Sequence, residues 1–72
     1  MLQANEHYIV CVNNEYLVAC PYAGSVFTRF SNSPYDAYAF DDFIIAQRYA
    51  SLFNGTVMIH NRITGDLTGG WQ

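Results

Sequence analysis

The 72-residue chain contains no lysine, and its only fixed positive charges are Arg29, Arg48 and Arg62. Gripping a phosphate backbone requires clustered cations. Three dispersed arginines in a chain of net charge −3 do not supply them, so direct nucleic-acid binding is not expected. Charge of either sign is scarce, at 12% of residues, against about 25% in an average soluble domain. Apolar runs are short as well, with none near the ~20 residues of a membrane-spanning helix. The first six residues carry neither a basic segment nor a following apolar stretch, so no signal peptide is expected and the cytoplasm is the expected compartment. With two cysteines and two histidines, a zinc site of three or four such ligands is hard to assemble. No lysine accompanies the glycines at 65, 69 and 70, which excludes a phosphate-binding loop of the Gly-rich kind.

What is present is apolar and aromatic. Residues of the hydrophobic set make up 51% of the chain and aromatic ones 17%. A single domain spanning residues 1–72 buries only about 60% of the surface of its unfolded chain. So much apolar surface with so little charge predicts that another protein covers part of it.

The order of elements follows from local pattern. Residues 6–12 and 15–20 are rich in β-branched and aromatic types, and Asn13-Asn14 between them reads as a tight hairpin turn. Pro21 ends the second run, and residues 25–30 read as a third strand. Residues 31–34 are loop by composition, and 35–40 form either a short helical turn or a connection that tucks Phe40 inward. A helix is predicted over 42–53. Asp41 or Asp42 is its N-cap, its apolar face is Ile45, Ala46, Tyr49, Ala50, Leu52 and Phe53, and Gly55 is its left-handed terminator. Gln47, Arg48 and Ser51 take the opposite side. Residues 56–63 return to strand, Gly65-Asp66 suits a two-residue turn, and a fifth strand would reach Trp71. The predicted fold is α+β: an antiparallel sheet of four or five strands, β-β-β-α-β with or without a further β, and one helix packed on one face.

A two-residue turn at 13–14 sets the hairpin register. His7 faces Cys20, Ile9 faces Val18 and Cys11 faces Tyr16 on one side; Tyr8–Ala19, Val10–Leu17 and Val12–Glu15 lie on the other. Both sides are apolar, and one helix covers only one. The side bearing Ile9, Cys11, Tyr16 and Val18 is therefore a candidate homodimer or oligomer face, unless loops and tail fold over it. The same register separates the cysteines by about 13 Å along the ladder, too far for a disulfide.

Catalysis finds little support. His7 beside Cys20 is the one nucleophile-and-base pair the register allows, and no long loop is available to build a pocket around it. Asp41-Asp42 is read as a helix cap with its neighbour rather than an acid–base pair. The chain is read as a non-enzyme without cofactor or metal. The aromatic and acidic residues of the middle segment, Tyr22, Phe27, Tyr35, Asp36 and Tyr38, are the candidate partner-binding set, because tyrosine offers contact area at low entropy cost with one polar handle.

Tyr16-Leu17, Asp36-Ala37-Tyr38-Ala39-Phe40, the Ala46 and Ala50 pair and Gly55-Thr56-Val57 together resemble small phage-encoded β-β-β-α-β accessory proteins. The segment from Ala46 to Met58, 13 of the 72 residues, is similar to part of one small anti-CRISPR inhibitor family. The resemblance implies a phage accessory protein that blocks a host defence complex by binding it in the host cytoplasm. That family is basic and this chain lacks lysine, so none of its binding residues is carried over. The alternative is a structural or assembly subunit that forms a constitutive homo-oligomer through the second sheet face.

Overall fold

The structure is a computed structural model that describes residues 2–19 and 28–71. Among the described residues five strands and one α-helix follow in the order β1 (Glu6–Val12), β2 (Glu15–Ala19), β3 (Arg29–Ser31), α1 (Phe43–Leu52), β4 (Thr56–Asn61) and β5 (Leu67–Trp71), with a 3-10 turn at Pro34–Asp36 before the helix. The strands form one antiparallel sheet in the spatial order β3-β2-β1-β4-β5. This is the α+β architecture expected from the pattern, with the fifth strand present.

Asn13 and Asn14 both take positive φ, 51° and 67°, the geometry of a tight type I′ hairpin turn whose twist matches the flanking strands. The first rungs, Val12–Glu15 and Cys11–Tyr16, are those predicted. Beyond them β2 leaves β1. The Leu17 carbonyl accepts from the Tyr38 backbone N–H at 2.9 Å. Tyr8 exchanges two backbone hydrogen bonds with Phe40, of 3.0 and 2.8 Å. The segment before the helix is thus wedged where the second half of the hairpin would lie. The predicted Tyr8–Ala19 pair is replaced by Tyr8–Phe40, while Ala19 pairs with Arg29 on β3 past an irregularity. The Ile9–Val18 and Val10–Leu17 rungs fall in the same splayed region. Cys20, with the His7–Cys20 rung and the inter-cysteine spacing built on it, and residues 25–27, the first half of the predicted third strand, lie outside the described residues, while β3 takes up its end at Arg29–Ser31; Cys11 is a half-buried free thiol.

The helix begins where Asp42 caps it, its Oδ1 accepting from the Ile44 N–H at 2.8 Å. Its end differs from the prediction. The left-handed residue is Asn54, with φ 56°. Gly55 donates back to the Ala50 carbonyl at 2.7 Å and Asn54 to Ser51 at 3.3 Å, which is the Schellman termination with asparagine in the glycine position. Gly55 serves a different need. It is buried against β1, where a Cβ would overlap the Cys11 carbonyl oxygen and Val12 Cγ2.

The core lies between helix and sheet. Val10, Leu17, Phe40, Ala46, Ala50 and Val57 are all buried, flanked by Tyr8, Val12, Tyr38, Phe43, Ile45, Tyr49 and Phe53. Ala46 and Ala50 present the smallest side chains of the helix to the strands, so the helix axis can approach closely. The space beside them is filled by Phe40, whose ring stacks on Tyr49 at 5.8 Å and meets Tyr38 edge-on at 4.8 Å. Phe40 is therefore tucked inward, as one of the two readings of residues 35–40 holds, and the 3-10 turn supplies the other.

At the far end, Asn61 reshapes the expected two-residue turn. Its carboxamide oxygen accepts from the Ile63 and Thr64 N–H groups at 2.9 and 3.0 Å. Its own N–H pairs with the Asp66 carbonyl and its carbonyl accepts from Gly65. Residues 62–65 thus form the loop, with Gly65 at φ 79°. β5 continues to Trp71 through Gly69 and Gly70, whose φ values of 97° and 123° accommodate a register shift against β4.

Candidate functional site

Two places on the molecule carry polar groups in unusual settings. The first is a rung on the sheet face away from the helix. His7 and His60 are direct partners across β1 and β4. His60 is only 2% exposed and its Nε2 has no hydrogen-bond partner. The edge of the Tyr35 ring lies over it at 4.6 Å, and the Tyr35 hydroxyl reaches on toward Gly65. His7 Nδ1 sits 3.7 Å from Asp41 Oδ1, beyond hydrogen-bond distance, so the contact is an ion pair only when His7 is protonated. Burial holds the His60 imidazole below its ordinary titration range, and the nearby charges of Arg62 and His7 act in the same direction.

Chemically this rung is limited. Among the described residues no three His, Cys, Asp or Glu side chains form a metal-binding group. Cys11 is on the same strand as His7, four residues away, or about 13 Å along the ladder. The rung's consequence is for stability. Below pH about 6.5, the ordinary value, an unfolded chain takes up a proton at His60 while the folded chain resists it. His60 thus adds no penalty above that pH and an increasing one as pH falls, levelling off once the depressed folded value is passed. Urea titrations at pH 7.5 and pH 5.0 should show a lower midpoint at pH 5.0, with the difference reduced in His60→Gln. An equal difference in the variant would assign the loss to other groups.

The second place is the outer surface of α1. Because successive residues turn by 100°, the side diametrically opposite Ala46 and Ala50 is occupied by Ile44, Arg48 and Leu52. Burying the two alanines forces those three into solvent. Ile44 is 55% exposed and Leu52 73%. Leu52, predicted on the buried face, is therefore on the opposite one, because Ala50 rather than Leu52 sits at the centre of the contact. Two shallow depressions, both open to solvent, flank the ridge of Arg48 and Leu52. One of about 530 Å³ is lined by Ile44, Gln47, Arg48, Ser51 and Leu52. The other, of about 330 Å³, is lined by Ile45, Arg48, Tyr49 and Leu52. Arg48 has no ion-pair partner among the described residues.

The predicted binding residues are dispersed. Tyr22 and Phe27 lie outside the described residues. Tyr35 is exposed but braced on His60. Asp36 is exposed and accepts from the Ser31 hydroxyl at 2.9 Å. Tyr38 is half-buried and packs on the core through Phe40. Of the predicted oligomer face, Ile9 is 2% exposed within a single chain, while Cys11, Tyr16 and Val18 are half-buried. The 3-10 turn bearing Tyr35 covers the His60 end of that same sheet face, so a loop does fold over part of it. Neither Ile44 nor Arg48 was legible as a binding residue in the apolar count. The available signal was the Ala46–Ala50 spacing, which fixes the inner face and, by rotation, the outer one.

No protein-family model matches the chain, and no curated protein or solved structure matches it either. No helix among the described residues is long and apolar enough to cross a membrane.

Proposed function

We propose that the chain is a small protein-binding module that acts by stoichiometric occupation of a partner, with the outer face of α1 as its contact surface. The observation carrying this reading is that two aliphatic side chains, Ile44 and Leu52, stand mostly in solvent on either side of Arg48. A helix needs no apolar residue on its solvent side, and apolar surface bracketing a cation is the composition of an interface centre. The resemblance to phage accessory proteins makes the partner a component of a host defence complex, which the module would inhibit by binding.

A photo-crosslinking side chain placed at Leu52 tests this in host cells, with the same group at exposed Thr68 on β5 as the control. One adduct of defined mass, formed from position 52 and not from 68, in a one-to-one ratio, is the expected result. Equal labelling from both positions, or none from either, would sink the reading. A tight oligomer at all concentrations in sedimentation would instead assign the chain to self-assembly through Cys11, Tyr16 and Val18.

A further inference from the structure

Resting on that reading, we infer that the outer face of α1 takes a short segment of another protein in which a carboxylate is flanked on both sides by apolar side chains. Three features define this occupant. The first is charge. Arg48 lies between Ile44 and Leu52, so any partner that buries those two also strips water from the guanidinium. An uncompensated charge there costs more than the apolar contact returns, and a planar guanidinium is best matched by a carboxylate that accepts two of its hydrogen bonds.

The second feature is size. A ten-residue helix is about 15 Å long, and one face of it falls well short of the roughly 800 Å² per partner of a standard stable interface. That suits a peptide-like segment and not a second copy of this chain. A second copy docked by two-fold symmetry about Arg48 would also set Arg48 against its own equivalent. The third feature is shape. The two hollows, of about 530 and 330 Å³, share Arg48 and Leu52 as their common wall. A segment crossing that ridge sets one apolar side chain in each hollow and its carboxylate over Arg48 between them.

The test is selection of a random twelve-residue peptide display library on the immobilised full chain, followed by fluorescence-polarisation titration of the enriched peptides. Enriched sequences should share an Asp or Glu flanked by aliphatic or aromatic residues. Arg48→Ala should weaken them about tenfold or more, the size expected for a charge-assisted hydrogen-bonded pair. Leu52→Gln, a good helix former at an exposed site, should weaken them as well, with the helical signal in circular dichroism unchanged for both variants. Arg48→Glu should abolish binding and recover it when the peptide acid is changed to arginine. Peptides that lose binding with Leu52→Gln but lack an acid, or ignore Arg48→Ala, overturn the partner chemistry and leave the binding surface standing. Failure to enrich any peptide sensitive to either substitution overturns the inference and removes the helix face from the functional reading too. A dimer in sedimentation that Leu52→Gln dissociates would name a second copy as the occupant and overturn it equally.

Discussion

Phe40→Ala is expected to bring the chain to the edge of unfolding at room temperature. Removing a fully buried phenylalanine side chain costs about 3–5 kcal/mol, while stability of about 0.05–0.15 kcal/mol per residue gives a chain of this length roughly 4–11 kcal/mol in total. Phe40 is 1% exposed and is the largest fully buried side chain among the described residues. Its position is exacting because three elements meet on it. Its backbone completes the ladder of β1 at Tyr8, its ring lies on Tyr49 of the helix, and its neighbour Tyr38 ties to β2 through Leu17. The alanine variant keeps the backbone bonds and loses the ring, so a urea midpoint that falls by more than half would assign the loss to packing. Phe40→Leu, which retains most of the volume, should fall much less. A midpoint unchanged in the alanine variant would mean that the space between helix and splayed strands is filled by something else.

Gly55→Ala is the second large effect, and its sign runs against the usual one. Where backbone conformation allows it, replacing glycine by alanine stabilises by about 0.4–1 kcal/mol through the unfolded chain. At Gly55 the added methyl would enter the space of the Cys11 carbonyl oxygen and the Val12 side chain. Cys11 cannot retreat, since it is held between Tyr16 of β2 and Thr56 of β4. The expected cost is about 1–3 kcal/mol, that of overpacking a rigid site. Asn54→Gly is the matched control: it relieves a left-handed asparagine at the neighbouring position and should be neutral or slightly stabilising. If thermal melts placed Gly55→Ala above the parent, the close approach of helix end to β1 would be disproved.

These two residues also show where the sequence was readable. The Asn13-Asn14 turn and the helix cap are decided within four residues of chain: the pattern and the structure agree on the turn, and of the two candidate caps, Asp41 and Asp42, the structure uses Asp42. The helix end was legible as an end, but its two residues exchanged roles, because only the packing against Cys11 reveals that Gly55 is required for space. The hairpin register was right for two rungs. It then failed because Phe40, from more than twenty residues downstream, competes for the edge of β1 and wins through its ring. His60 is buried because Tyr35, from another loop, closes over it, which strand alternation cannot foretell. On the helix, the apolar pattern gives one broad buried face that includes Leu52, whereas the two buried alanines narrow it and leave Leu52 outside, beside Ile44.

The place of β1 in the sheet has a kinetic consequence. Its longest ladder, six rungs from Glu6–Asn61 to Cys11–Thr56, joins it to β4, so the middle of the sheet is built from segments far apart in sequence. The local hairpin contributes two rungs and cannot by itself hold a sheet together. Assembly must therefore wait for the helix to return the chain, closing a long loop before its contacts repay the entropy. The protein should fold slowly for its length, in milliseconds or longer. On the ribosome, β1 would stay unpaired along its β4 edge until Thr56–Asn61 had emerged.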